Sequence, residues 1–339
     1  MVDRMTDFLF DTFKKTVEEK IDDAQSQEEV DEIIKKVEQI DLAEISSEMY
    51  SIIANDTVDY MKETMYQEVM ISRAQDQEFV IIQEQKWNKA FVSSEAFYML
   101  VMDVTQTYVK YVNSLPQEDR EKYCHIFTAL QHIHGRAMQQ FLEVITLMKN
   151  GFADGAYARW RSMYELMIIS SFIIKYGEPV AESFIESSET TDRYEWARKS
   201  GIFSSKKRYI SFNDIQKNCG VESSIWQKQY DLANKIIHAS PQGTFARLGN
   251  MGNKEVIPVG RSDYGITTPG EHSAISLAQI TTMFLTIHPS GDGLVAVGTI
   301  EKWVDVIREN YFRTHDLIFP EDEKLWDESI GDEDDSPEE

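Results

Sequence analysis

Apolar residues recur at helical spacing through the long stretch from Asp56 to Asn113: Val58, Met61, Met65 and Val69, then Phe97, Leu100, Val101, Val104, Tyr108 and Tyr111. A period of this kind, kept over so many turns, predicts helix, with Ser93-Ser94 as the expected break. The same signal begins earlier. Ser26-x-x-Glu29 forms a capping box ahead of Val30, Ile33, Ile34, Val37 and Ile40, so the first fifty residues are also expected as amphipathic helices.

Downstream, punctuation residues divide the chain. Pro116 followed by Gln117-Glu118-Asp119 starts a helix expected to reach Lys149, and Asn150-Gly151 ends it. Asp154-Gly155 introduces the next helix, which stops near Gly177; Glu178-Pro179 begins another that runs towards Lys199. A helix from about Glu222 must end before Pro241, because proline disfavours helical geometry in the residue before it. Residues 242–270 carry six glycines around Val256-Ile257-Pro258-Val259 and read as a loop or a small hairpin. Two helices follow, about Glu271 to Ile287 and Leu294 to Arg313. The expected fold is therefore all-α, a multi-helix bundle with one Gly-rich loop or small hairpin inserted. Its expected parts are a helical N-terminal region over 1–113, a helical core over 114–320 and a disordered acidic tail over 321–339.

The formal net charge of −24 is unevenly spread: −9 over residues 1–50, −10 over residues 321–339, and only −5 between. The middle also holds a basic run, Arg193, Arg198, Lys199, Lys206, Lys207 and Arg208, interleaved with Tyr194, Trp196, Phe203 and Tyr209. It fits either a solvated face or a phosphate-bearing partner such as RNA, while the acidic ends suit a basic protein partner. No apolar run reaches the roughly 18 to 20 residues that span a bilayer, so a cytoplasmic chain without membrane association is expected. Strand–GxGxxG–helix and GxxxxGK[ST] units are absent, as are Gly-x-Ser-x-Gly and His-Glu-x-x-His, and no cofactor is expected. Cys124 and Cys219 lack CxxC spacing and a histidine cluster, and both are expected as buried thiols. His125, His132 and His134 show no carboxylate at metal-ligand spacing, so no metal is expected.

Two stretches place ionisable groups in otherwise apolar helices, where burying charge is costly unless a partner compensates it. In Gly155–Glu165, Arg161 and Glu165 are four apart on one face, with Arg159 about 160° round from Arg161. In Ala233–Pro241, Asn234 and His238 share a face, and His238 lies in a last turn whose dipole favours a cation. Asn can orient a substrate oxygen and His can move a proton, which makes His238, Asn234, Arg161 and Glu165 the candidate catalytic set. Arg159, Lys235, Ser240 and His272 are candidate binding residues, His272 because it follows the Gly-rich segment and could fold back towards His238. The alternative is a polar network that only fixes helix packing, with His238 capping its helix and bonding to Glu165 or to the loop.

A helix with a small residue, Arg-x-Arg and a following Glu (Gly155 to Glu165), together with a later His-Ala-Ser (His238 to Ser240), resembles a bacterial family known as domain of unknown function 5677, over roughly residues 125–290. A more distant resemblance is to the helical HEPN superfamily of prokaryotic toxins and defence ribonucleases, whose signature is Arg, a polar residue, three residues, then His. Here Asn234 and His238 match, and Ala233 stands where the arginine belongs. That resemblance implies metal-independent RNA cleavage with an active site shared across a homodimer. It also requires Lys235, Arg159 or Arg161 to replace the missing guanidinium. The competing expectations are a non-enzymatic interaction or sensor module, and a site that binds a small anionic ligand without turnover.

Overall fold

The computed structural model describes residues 4–38, 42–221, 224–238, 241–245, 247–250, 257 and 259–320. Every regular element among them is helical. Two compact units divide the chain, residues 1–76 and 77–339, and the division falls within one long helix.

The first unit holds α1 (Arg4–Asp22), α2 (Gln27–Glu38) and most of α3 (Leu42–Lys86). α1 and α2 pack together. Half of the capping box expected ahead of α2 is formed: Ser26 Oγ accepts from the Glu29 N–H at 3.3 Å, while the Glu29 carboxylate reaches the Gln25 N–H at 2.7 Å, one residue before the N-cap. Along α3, Val58, Met61, Met65 and Val69 keep helical spacing and remain exposed.

In the second unit, α4 (Asn88–Ser114), α5 (Gln117–Glu121), α6 (Cys124–Lys149), α7 (Ala153–Tyr176), α8 (Glu178–Glu186), α9 (Phe212–Asn218), α10 (Ser224–Ile237), α11 (Pro241–Phe245), α12 (Thr267–Leu285) and α13 (Gly291–Ile318) follow in order. α7 lies at the centre and packs against α6, α12, α10, α9 and α8; α4 and α13 close the far side of α12. Small residues explain that position. Ala153, Ala156 and Ala181 are buried and let neighbouring backbones approach, while Tyr157, Trp160, Met163 and Phe172 fill the space between them. A close approach lies at Gly270 of α12, where a Cβ would collide with the Tyr311 ring of α13.

Several boundaries differ from expectation for local reasons. The break near residue 93 lies instead at the fully buried Trp87. Ser93 and Ser94 continue the helix because their hydroxyls find partners, the Ala90 carbonyl at 2.9 Å and the Tyr311 hydroxyl at 3.2 Å. The single helix expected from Gln117 to Lys149 is two, α5 and α6. The helix begun at Glu178 ends at Glu186, and residues 187–189 and 195–200 form 3-10 turns. Between residues 242 and 266 the described residues are short helical turns and coil; residues 246, 251–256 and 258, with Val256 and Pro258 of the suggested hairpin among them, lie outside the described residues, as does the acidic tail. Cys219 is buried as expected, whereas Cys124 is exposed, because it begins α6 on the outside of the bundle. No helix among the described residues is long and apolar enough to cross a membrane.

Candidate functional site

α7 and α10 cross so that the polar residues of one meet those of the other. From α7, Asp154, Arg161 and Glu165 fall on one stripe; Tyr230 and Asn234 of α10, continued by His238 just past its end, form the facing stripe, each a turn from the next. Arg161 is the hinge of the cluster. Its Nε donates to Asn234 Oδ1, and its Nη2 reaches Glu165 Oε1 at 2.8 Å and the Tyr230 hydroxyl at 3.2 Å. Tyr230 in turn donates to Glu165 Oε1 at 2.9 Å, and Arg193 Nη2 reaches Glu165 Oε2 at 3.1 Å. Glu165 is buried, yet two guanidinium groups and a hydroxyl compensate it, which satisfies the condition for keeping a charge inside. Burial, then the Glu165 carboxylate, pushes the Tyr230 hydroxyl well above its ordinary range, so Tyr230 serves as a donor.

His238 lies beyond this network. It follows the last residue of α10, its N–H bonded to the Asn234 carbonyl at 3.2 Å, and its side chain is exposed. It lines a cleft of about 360 Å³ with Asp154, Thr244 and Arg247. Pro241 starts α11 at a position where a missing N–H is harmless, and α11 folds back beneath α10. Gly243 permits that return, since a Cβ there would collide with the Lys235 carbonyl and lie 2.6 Å from the His238 carbonyl oxygen. On the opposite wall Asp154 accepts the Leu248 N–H at 2.7 Å and faces Arg247 Nε at 3.5 Å, tying the loop to the start of α7.

The other candidates lie apart. Arg159 points to α6, where its Nε pairs with Glu143 at 2.6 Å, as its angle from Arg161 predicts. Lys235 is exposed, and Ser240 lies outside the described residues. His272 does not line the His238 cleft: its ring is buried against Trp160, Trp226 and Tyr157, with centroids 4.8, 5.1 and 5.9 Å away. Burial, then the Arg308 charge, lowers its pKa to about 4. In the basic run, Arg193 serves Glu165, Arg198 donates to the Lys207 carbonyl at 2.6 Å, and Lys207 pairs with Asp214 at 2.6 Å; Lys199, Lys206 and Arg208 are exposed. Spacing alone missed Tyr230, Arg193, Asp154 and Arg247. Tyr230 was within reach of it, being four residues before Asn234 on the same face.

A second cavity, about 480 Å³, opens between α6 and α8, with Thr128, His132, Phe184, Arg193 and Trp196 among its walls. The molecule is thus an all-helical protein built around an α7–α10 polar cluster that borders an open histidine cleft. Residues 127–199 match the model of a family of unknown function, DUF5677. Arg159, Arg161, Glu165 and Arg193 fall inside that match; Asn234, His238 and Arg247 fall beyond it. No curated protein and no solved structure matches the chain.

Proposed function

We propose that the cleft at the end of α10 binds a phosphate-bearing ligand, RNA in the first instance, and that His238 transfers a proton there without a metal. The observation that carries this reading is the exposed His238 sharing a cleft with Arg247 while Asn234, one turn earlier, is held by Arg161. A packed, fully bonded ring would have pointed to capping alone. In this reading Arg247 supplies the guanidinium that the HEPN-like signature lacks at Ala233, and it offsets charge developing on the phosphate. Arg161, Asn234, Glu165 and Tyr230 are positioning residues that fix the last turn of α10. Arg159 is committed to Glu143 and Lys235 remains a peripheral cation. A defence or stress role, a homodimeric site and a cytoplasmic setting complete the proposal; the HEPN resemblance supports the first two.

The test is incubation of the purified chain with total cellular RNA and with tRNA in EDTA. Discrete cleavage, reduced at least a hundredfold in His238→Ala and in Arg247→Ala, is the expected result. RNA left intact by wild-type protein overturns the reading.

The saturated Glu165 favours a second reading. With every charge in the α7–α10 cluster compensated internally, the cluster suits a non-enzymatic module that holds helices in register while the acidic segments 1–50 and 321–339 attract a basic partner. Salt-sensitive capture of basic proteins that is lost on deleting residues 321–339, alongside intact RNA, would support it. In a third reading the α6–α8 cavity takes a small anion on Arg193, His132 and the hydroxyls of its wall, which outnumber the one carboxylate there, Asp192.

A further inference from the structure

We propose that Cys124, His125 and Glu178 form a site for a zinc-class divalent cation where α6 and α8 begin. Local spacing shows no carboxylate beside His125; the fold supplies one from 53 residues further along the chain. Cys124 Sγ lies 3.6 Å from His125 Nδ1 and 3.9 Å from Glu178 Oε2, and Nδ1 lies 2.8 Å from Oε2. A tetrahedral ion bound at ordinary zinc distances sets its sulfur, nitrogen and oxygen ligands about 3.3–3.6 Å apart. Shifts of a few tenths of an ångström therefore bring all three donors onto one ion.

The donors are held in place. Glu178 Oε1 accepts the Ile126 N–H at 2.9 Å and Oε2 accepts the His125 N–H at 3.1 Å, so the carboxylate is pinned to the first turn of α6, with Oε2 also facing the His125 ring and the Cys124 sulfur. Glu182, one turn further along α8, lies 4.0 Å from His125 Nε2. At 2.8 Å Nδ1–H donates to Glu178 Oε2, so a cation at Nδ1 displaces that proton and takes the Nε2–H tautomer; Glu182 stands beyond hydrogen-bond distance of Nε2. Helix capping by Glu178 accounts for the backbone bonds, but it gives no reason for an exposed sulfur within 4 Å of both other donors.

On binding, the thiol proton leaves to solvent, the His125 Nδ1 proton is lost to solvent while Nε2 takes one up, and the cation takes the thiolate, the neutral imidazole and the carboxylate as ligands. Mixed S, N and O donors select zinc or cobalt over magnesium and calcium, which prefer oxygen alone. Cys124 is exposed, so the fourth position faces solvent. The site shares no residue with the His238 cleft.

The test uses the full metal-free chain. Added Zn2+ is expected to bind at one equivalent and to slow iodoacetamide labelling of Cys124, located by peptide mass mapping, at least tenfold. Co2+ is expected to give a thiolate-to-metal charge-transfer band. Cys124→Ser and His125→Asn should abolish the band and weaken Zn2+ binding at least tenfold; Cys124→Ser carries the weight, because it leaves the Glu178 cap of α6 intact. Unchanged labelling of Cys124 with Zn2+, or Co2+ uptake without a thiolate band, would overturn the proposal. Neither readout depends on RNA cleavage, so this site and the His238 reading fail separately.

Discussion

At the scale of residues, Arg161 and Arg193 show how burial decides the worth of the same interaction. Both touch Glu165, but the Arg161 side chain is 23% exposed and that of Arg193 is 69% exposed. Arg161 also holds Asn234 and Tyr230, so its removal takes the donor from the part-buried Asn234 Oδ1 and leaves the buried Glu165 with only the exposed Arg193 as a cation. Arg161→Ala should therefore destabilise by about 2–4 kcal/mol, and Arg193→Ala by less than about 1 kcal/mol. Urea unfolding of the two variants checks this, and equal losses would mean that Arg161 is no more central than a surface ion pair. The Arg161–Glu165 face was legible from a spacing of four. The partners on α10 were not, because spacing reports neighbours on one helix and says nothing of which helix lies opposite.

At the scale of elements, the bundle rests on close approaches that only particular small residues allow. Gly270 is the clearest case, since the Tyr311 ring occupies the space a Cβ would need, and Tyr311 is fully buried with its hydroxyl at Ser94. Gly270→Ala forces α12 and α13 apart. The helix-propensity gain of alanine, up to about 1 kcal/mol, is outweighed by overpacking of about 1–3 kcal/mol. A lower thermal midpoint in Gly270→Ala is expected, and a rise would show that the α12–α13 contact yields easily. Helix ends given by Asn150-Gly151 and Gly177 were readable. The early end of α8 was not: no glycine or proline stops it, and Trp196 enters the core through a 3-10 turn, packing on Phe172 and Phe184.

At the scale of the whole molecule, the core holds two neutral histidines that link folding to acidity. Burial lowers the pKa of His134 to about 4, and burial with the Arg308 charge lowers that of His272 to about 4. Thr281 donates its proton to the Leu277 carbonyl at 2.7 Å, so its Oγ1 accepts from His134 Nε2–H at 3.0 Å, which sets the tautomer of the neutral ring. Because the folded values lie below the unfolded value near 6.5, the unfolded chain binds more protons between the two. Stability is full above about pH 6.5 and is lost as pH falls towards 4, by about 2 kcal/mol for each histidine at pH 5. Urea midpoints at pH 7 and pH 5 test this; His272→Gln should reduce the difference by about half, leaving the share of His134, and an unchanged wild-type midpoint would remove both histidines from the account.

The sequence by itself determined that this protein is helical, where most helices start and stop, and which residues share a helical face. Those properties depend on neighbours three and four residues apart, within reach of a single turn. Only the tertiary structure decided that α7 meets α10, that His238 stands in an open cleft while His272 is sealed in the core, and that Glu178 reaches Cys124 and His125. Such pairings join residues tens of positions apart. They are set by how side-chain volumes pack between helices, a property of the assembled core that no local period records.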